Sequence, residues 1–136
     1  MTRAMWLVKP NLEELRQLSG REVPNAAAAV RDAAGALLKT AEFVLVSRGI
    51  AGAVLVSKQG AWVGRMVGRE AAIRTVGCGD TLLAGFVSAM IAGQPVNMAL
   101  RNGLAMATAR AVSKDMCEFD MNVARQAYDE VEIDSV

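Results

Sequence analysis

The chain has 136 residues, 53% of them hydrophobic, with 15 basic and 14 acidic side chains and a formal net charge of +1. That length fits one domain with a real core, residues 1–136, and that composition excludes a disordered chain. No basic block gives a nucleic acid or a membrane surface anything to hold, and the absence of histidine removes His-based triads and His-rich metal sites.

In chain order, AMWLV (4–8) is a short apolar run stopped by Lys9-Pro10 and predicts a buried strand. Asn11 precedes LEELRQL, with Leu12, Leu15 and Leu18 assigned to one helical face. Asn is a favoured N-cap and Glu14 stands at the capping-box position, so a helix over about 12–19 is expected, ended by Gly20. Asn25 is expected to open a second, alanine-rich helix. FVLVS (43–47) and AVLVS (53–57) predict strands, and Lys58-Gln59-Gly60 a hairpin turn into a third, AWVGRMV.

Residues 68–79 read as irregular and glycine-punctuated. Helices follow over about 80–92 and 96–112, separated by Gly93 and Pro95, and DMNVARQAYDEVEI predicts a last surface helix. From Leu82 to Ala92 there is no charge, so that helix is expected to be buried on most sides. Helices alternating with strands argue for an α/β fold with a partly parallel sheet. The longest apolar stretches are too short to span a bilayer, and MTRAMWLVKPN lacks the features of a signal peptide, so a cytoplasmic protein is expected. Cys78 and Cys117 are far apart in sequence and read as free thiols.

Three stretches could carry chemistry. In RTVGCGDTLLAG, Gly77 and Gly79 would let backbone N–H groups approach a ligand anion, and Asp80 would be a base beside the reacting group. The same residues also read as a glycine-bearing loop with Asp80 as an ordinary N-cap. In NLEE, Asn11 and Glu14 either face a metal–phosphate cluster through water or form a plain capping box. In SRGIAG, Ser47, Gly49 and Gly52 either line phosphates at a strand end or make a connection that needs positive φ.

The order KPNLEEL, VLVSRGIAGAVLV, TVGCGDTLLAGF resembles the PfkB (ribokinase-like) carbohydrate kinases, and within them the 1-phosphofructokinase and tagatose-6-phosphate kinase branch. The resemblance implies a ribokinase-like three-layer fragment, with a partly parallel sheet flanked by helices, that uses ATP and Mg²⁺. By the same resemblance, Asp80 is the general base that takes the sugar hydroxyl proton, and Gly77, Cys78 and Gly79 form the anion hole for the γ-phosphoryl group. Asn11 and Glu14 match the element that organises Mg²⁺ indirectly, through water. Ser47, Gly49 and Gly52 match the loop on the ATP phosphates, and Asn102, Gly103 and Ala107 fall in part of the adenine pocket. The implied reaction phosphorylates fructose 1-phosphate or a related ketohexose phosphate. Such chemistry needs positioning and charge stabilisation more than covalent catalysis, which suits a chain without histidine.

Two residues depart from the family pattern. Arg74 stands where Asp or Asn is usual, and Cys78 where Ala or Ser is common, the thiol reading as a small space-filler. The resemblance covers only the C-terminal, nucleotide-binding half of such kinases. A fragment, a split protein or a truncated product is therefore expected, with most sugar contacts missing. An edge strand exposed near AMWLV would favour a homo-oligomer. The alternative to a working kinase is an inactive nucleotide-binding or self-associating fragment.

Overall fold

The computed structural model describes residues 5–66, 78–111 and 121–136. Its sheet has five strands in the order β1 (Met5–Val8), β2 (Ala41–Ser47), β3 (Ala53–Ser57), β4 (Gly60–Met66) and β5 (Val131–Ser135). β1 and β2 run parallel, with Met5 opposite Ala41 and Val8 opposite Val44, whereas β2 and β3 run antiparallel, with Leu45 opposite Leu55. The sheet is therefore mixed, as expected from strands interrupted first by helices and then by tight turns. The described residues group into two compact units. One comprises the residues up to Arg48 with Gly52–Val63 and Asp134–Val136; the other comprises Gly49–Ala51 and the described residues from Gly64 to Ile133.

In the first unit the predicted capping box is formed. Asn11 Oδ1 accepts the Glu14 N–H at 2.8 Å, and Glu14 Oε1 accepts the Asn11 N–H at 2.9 Å, which starts α1 (Leu12–Ser19). Gly20 closes that helix in the left-handed region at φ 68°, where a side chain would be strained. Leu15 is fully buried and Leu12 packs partly on the core, but Leu18 is 59% exposed. Each three-residue step falls about 60° short of a full turn, so the row of leucines drifts off the buried face by its third member.

Asn25 does not open the next helix. α2 (Ala27–Gly35) has Ala26 at its N-cap with no side-chain cap, and a 3₁₀ turn, Ala36–Lys39, follows it. The Asn25 carboxamide oxygen instead accepts the Arg48 Nε–H at 2.8 Å. Val30, Ala33 and Ala34 of α2 join Leu15 and Val23 against Val44, Val46, Val54 and Val56 of the sheet. The alternate residues Leu45 and Leu55 are also buried, so these strands are covered on both faces. The predicted hairpin is present: Ser57 Oγ accepts the Gln59 N–H and donates to the Gly60 carbonyl, tightening the turn.

In the second unit α3 (Cys78–Ile91) and α4 (Val96–Ala111) form a hairpin of helices, followed by α5 (Met121–Glu130). α3 buries Leu82, Gly85, Phe86 and Ala89 on one face, while Ala84, Ser88 and Ile91 are exposed. The expectation of burial on most sides is therefore corrected. From Leu82 onward the helix carries no charge, yet its buried positions form one stripe among the described residues, the rest being small or isolated apolar residues of the kind surfaces tolerate.

The predicted tail helix is shorter than expected, because Val131–Ser135 form β5. Arg101 of α4 makes that switch possible: its guanidinium donates to the Tyr128 and Val131 carbonyls at 2.9 and 2.7 Å. Those groups sit where a helix end leaves carbonyls without partners. Arg101→Met should lower stability by about 1.5–3 kcal/mol, the range for hydrogen bonds to a charged group, as measured by urea unfolding. Among the described residues no helix is long and apolar enough to cross a membrane.

Candidate functional site

Two of the three motifs meet at their first residues, Asn11 and Ser47, in the first unit. Asn11 and Ser47 are bridged in parallel just beyond β1 and at the end of β2, and the Ser47 N–H donates to the Pro10 carbonyl at 3.1 Å. NLEE and SRGIAG therefore begin side by side at the carboxyl ends of two parallel strands. This is the edge at which open α/β sheets bind ligands.

The connection after Ser47 turns through Gly49 at φ 59° and Gly52 at φ 93°, and the Arg48 N–H returns to the Gly52 carbonyl at 2.8 Å. Both glycines occupy backbone conformations that side chains rarely adopt, so the positive-φ connection foreseen in the sequence is real. Arg48 was not singled out in the sequence. Burial pushes its guanidinium pKa below the usual arginine value, and the Asn25 side chain holds it at the strand end. Its position directly after a β-branched strand was the available signal.

The capping box decides what the α1 N-terminus can offer. Two of its free N–H groups are consumed by Asn11 Oδ1 and Glu14 Oε1, and Glu13 and Glu14 bring negative charge to the first turn. An anion is therefore not favoured there, whereas the remaining oxygen of the exposed Glu14 carboxylate suits a hydrated cation. Asn11→Ala should cost about 1 kcal/mol of stability through the lost cap, measurable as a lower thermal midpoint.

In the second unit Asp80 lies in the first turn of α3 and is exposed, next to the half-buried Gly79. Gly77 and Arg74 lie outside the described residues, as do residues 68–76 of the irregular stretch, Val112 at the predicted end of α4, and Cys117. On α4, Gly103 is turned to α3: a Cβ there would come 2.7 Å from the Leu82 carbonyl oxygen and 3.3 Å from the Phe86 nitrogen. Asn102 donates through Nδ2 to the Gly85 carbonyl at 2.8 Å. It also borders a groove of about 290 Å³ lined by Met106, Ala124, Arg125 and Tyr128, close to the smallest volumes usual for ligand sites. Ala107 is half-buried, one turn beyond Gly103. Because a short link joins the two helices, they run antiparallel, and that further turn of α4 lies toward the first turn of α3.

A mixed five-stranded sheet flanked by helices, with the Gly49–Gly52 turn and the start of α1 at its strand ends, is the fold of a ribokinase-like α/β protein. The pattern of the pfkB family carbohydrate kinases matches residues 1–121, and the chain belongs to that family. It is 32% identical over 111 residues to 1-phosphofructokinase of Escherichia coli strain K12, covering 82% of this chain and 35% of that protein. It superposes on phosphofructokinase-2 from Escherichia coli in complex with potassium with a TM-score of 0.81 and 25% identity, over 91% of this chain and 40% of the other. Ribokinase from Arabidopsis thaliana complexed with ribose and ATP shares the fold at a TM-score of 0.76 and 24% identity, over 90% of this chain and 40% of that one. The chain thus spans little more than a third of the length of the 1-phosphofructokinases it matches.

Among the described residues no group of three or more Cys, Asp or Glu side chains could cage a metal ion. The exposed Glu14 carboxylate, with one oxygen committed to the capping box, fits contact with Mg²⁺ through water, phosphates of a nucleotide supplying further ligands.

Proposed function

We propose that this chain is the ATP-binding part of a PfkB-type kinase that transfers a phosphoryl group to a sugar phosphate, fructose 1-phosphate or a related ketohexose phosphate. The observation that carries the reading is the pairing of Asn11 with Ser47 at the carboxyl ends of parallel strands, in a chain of this family. Ser47 and the Gly49–Gly52 turn hold the ATP phosphates. Asn11 and Glu14 orient the hydration shell of the metal, and Asn102, Gly103 and Ala107 contribute the α4 side of the adenine pocket, Gly103 through its packing against α3. Mg²⁺, when bound there with the nucleotide, would supply positive charge against the phosphates.

Asp80 takes the proton of the sugar hydroxyl as that oxygen bonds to the γ-phosphorus and the bond to the β-phosphate oxygen breaks, releasing ADP. Backbone N–H groups of Gly77, Cys78 and Gly79 hold the equatorial phosphoryl oxygens, a task suited to the positive end of a helix. The working compartment in this reading is the cytoplasm.

The exposure of β1 favours a second reading: nucleotide binding without turnover, with self-association into a homo-oligomer. Among the described strands β1 lies at the edge of the sheet, and Met5 and Trp6 on it are 46% and 40% exposed. Calorimetry with MgATP, alongside phosphorylation assays on a panel of sugar phosphates, separates the two. Binding with Asp80-dependent turnover supports the first reading and binding alone the second. A clean monomer in light scattering counts against self-association.

A further inference from the structure

We infer that Gly103 is a positioning residue for the first turn of α3, and that Asn102 and Gly85 complete the clasp that sets it. The inference deepens the reading in which Asp80 is the base and rests on it for its catalytic meaning. The geometry lies wholly within the second unit. α3 and α4 approach so closely that a Cβ on Gly85 would stand 2.8 Å from the Gly103 Cα and 3.2 Å from the Asn102 carbonyl oxygen.

A Cβ on Gly103 would meet backbone first, the Leu82 carbonyl oxygen at 2.7 Å, then the Leu82 side chain at 3.1 Å and the Phe86 nitrogen at 3.3 Å. The two backbone atoms belong to successive turns of α3, in the spacing of a helical hydrogen bond. A methyl group at residue 103 therefore wedges against that bond and pushes on Leu82, two residues beyond Asp80. Asn102 acts beside it, its Nδ2–H bonded to the Gly85 carbonyl at 2.8 Å, which fixes the sliding position of one helix on the other.

Glycine is a poorer helix former than alanine, a cost that this close approach offsets. Gly79 and Asp80 lie within the turn that the Leu82 contact steadies, whereas Gly85 lies more than a turn further along α3. A side chain at residue 103 should consequently disturb the Asp80 end of α3 more than one at residue 85, even where both lower stability.

The test is a comparison of Gly103→Ala, Gly85→Ala and Asn102→Ala by amide NMR on the full chain, with thermal unfolding and MgATP titration. Gly103→Ala is expected to move the Gly79 and Asp80 signals more than Gly85→Ala does and to weaken MgATP binding on the order of tenfold. Asn102→Ala, which adds no bulk and so guards against loss of the fold, is expected to move the same signals by a smaller amount. Unmoved Gly79 and Asp80 signals in Asn102→Ala, or signals in Gly103→Ala that move no more than in Gly85→Ala, overturn the inference. Failure of the kinase reading looks different: Asp80→Asn then leaves phosphoryl transfer unchanged while the NMR comparison still reports on the clasp.

Discussion

Asp80→Asn should lower phosphoryl transfer from ATP by about 10²–10⁴-fold, the usual contribution of a positioned general acid or base, while MgATP binding persists. Asparagine preserves the size and one oxygen of the side chain but cannot take up a proton at neutral pH. The exposed position of Asp80 in the first turn of α3 leaves its carboxylate accessible to an incoming hydroxyl. The measurement is transfer of labelled phosphate from ATP across a panel of sugar phosphates, for both proteins under one set of conditions. Equal turnover removes Asp80 from the role. Loss of binding together with transfer would instead assign the residue to ATP affinity.

Phe86→Ala should cost about 3–5 kcal/mol, the range for truncating a buried aromatic side chain. Phe86 is fully buried on the inner stripe of α3, and its backbone nitrogen lies on the face that meets Gly103. Against a usual total of about 5–15 kcal/mol, that loss removes a large part of the stability. Phe86→Leu, which keeps most of the volume, should cost less than about 1.5 kcal/mol. Urea unfolding of the two variants checks both values. A loss for Phe86→Ala below about 1 kcal/mol would mean that the inner stripe of α3 is loosely packed, a range typical of sites away from cores.

What could be read from the sequence was local. Asn11 and Glu14 are three residues apart and satisfy each other's backbone, so the capping box needs nothing beyond α1. The β-branched runs of β2 and β3 and the positive φ of Gly49 and Gly52 follow from residue type in the same way. Of the candidate site, the identity of NLEE and SRGIAG was legible, but their adjacency was not. It depends on the parallel pairing of β1 with β2 across more than thirty residues of intervening chain.

The misreadings share that cause. Asn25 has a good capping side chain, yet Arg48, distant in sequence, claims its oxygen. The tail helix stops at Glu130, where Arg101 of another helix donates to the Tyr128 and Val131 carbonyls as Val131 enters the sheet. The resemblance placed Gly103 at a pocket, and only its close approach to Gly85 explains why both positions are glycine. The uncharged run of α3 suggested burial on most sides, whereas small residues such as Ala84 and Ser88 tolerate solvent without carrying charge.

Calorimetric titration of the full chain with MgATP tests the central claim most directly. Saturable binding at one site per chain, abolished when ATP is replaced by an uncharged nucleoside, is the result predicted for the nucleotide-binding part of a PfkB-type kinase. A titration with no saturable heat at any temperature at which the chain is folded would contradict it.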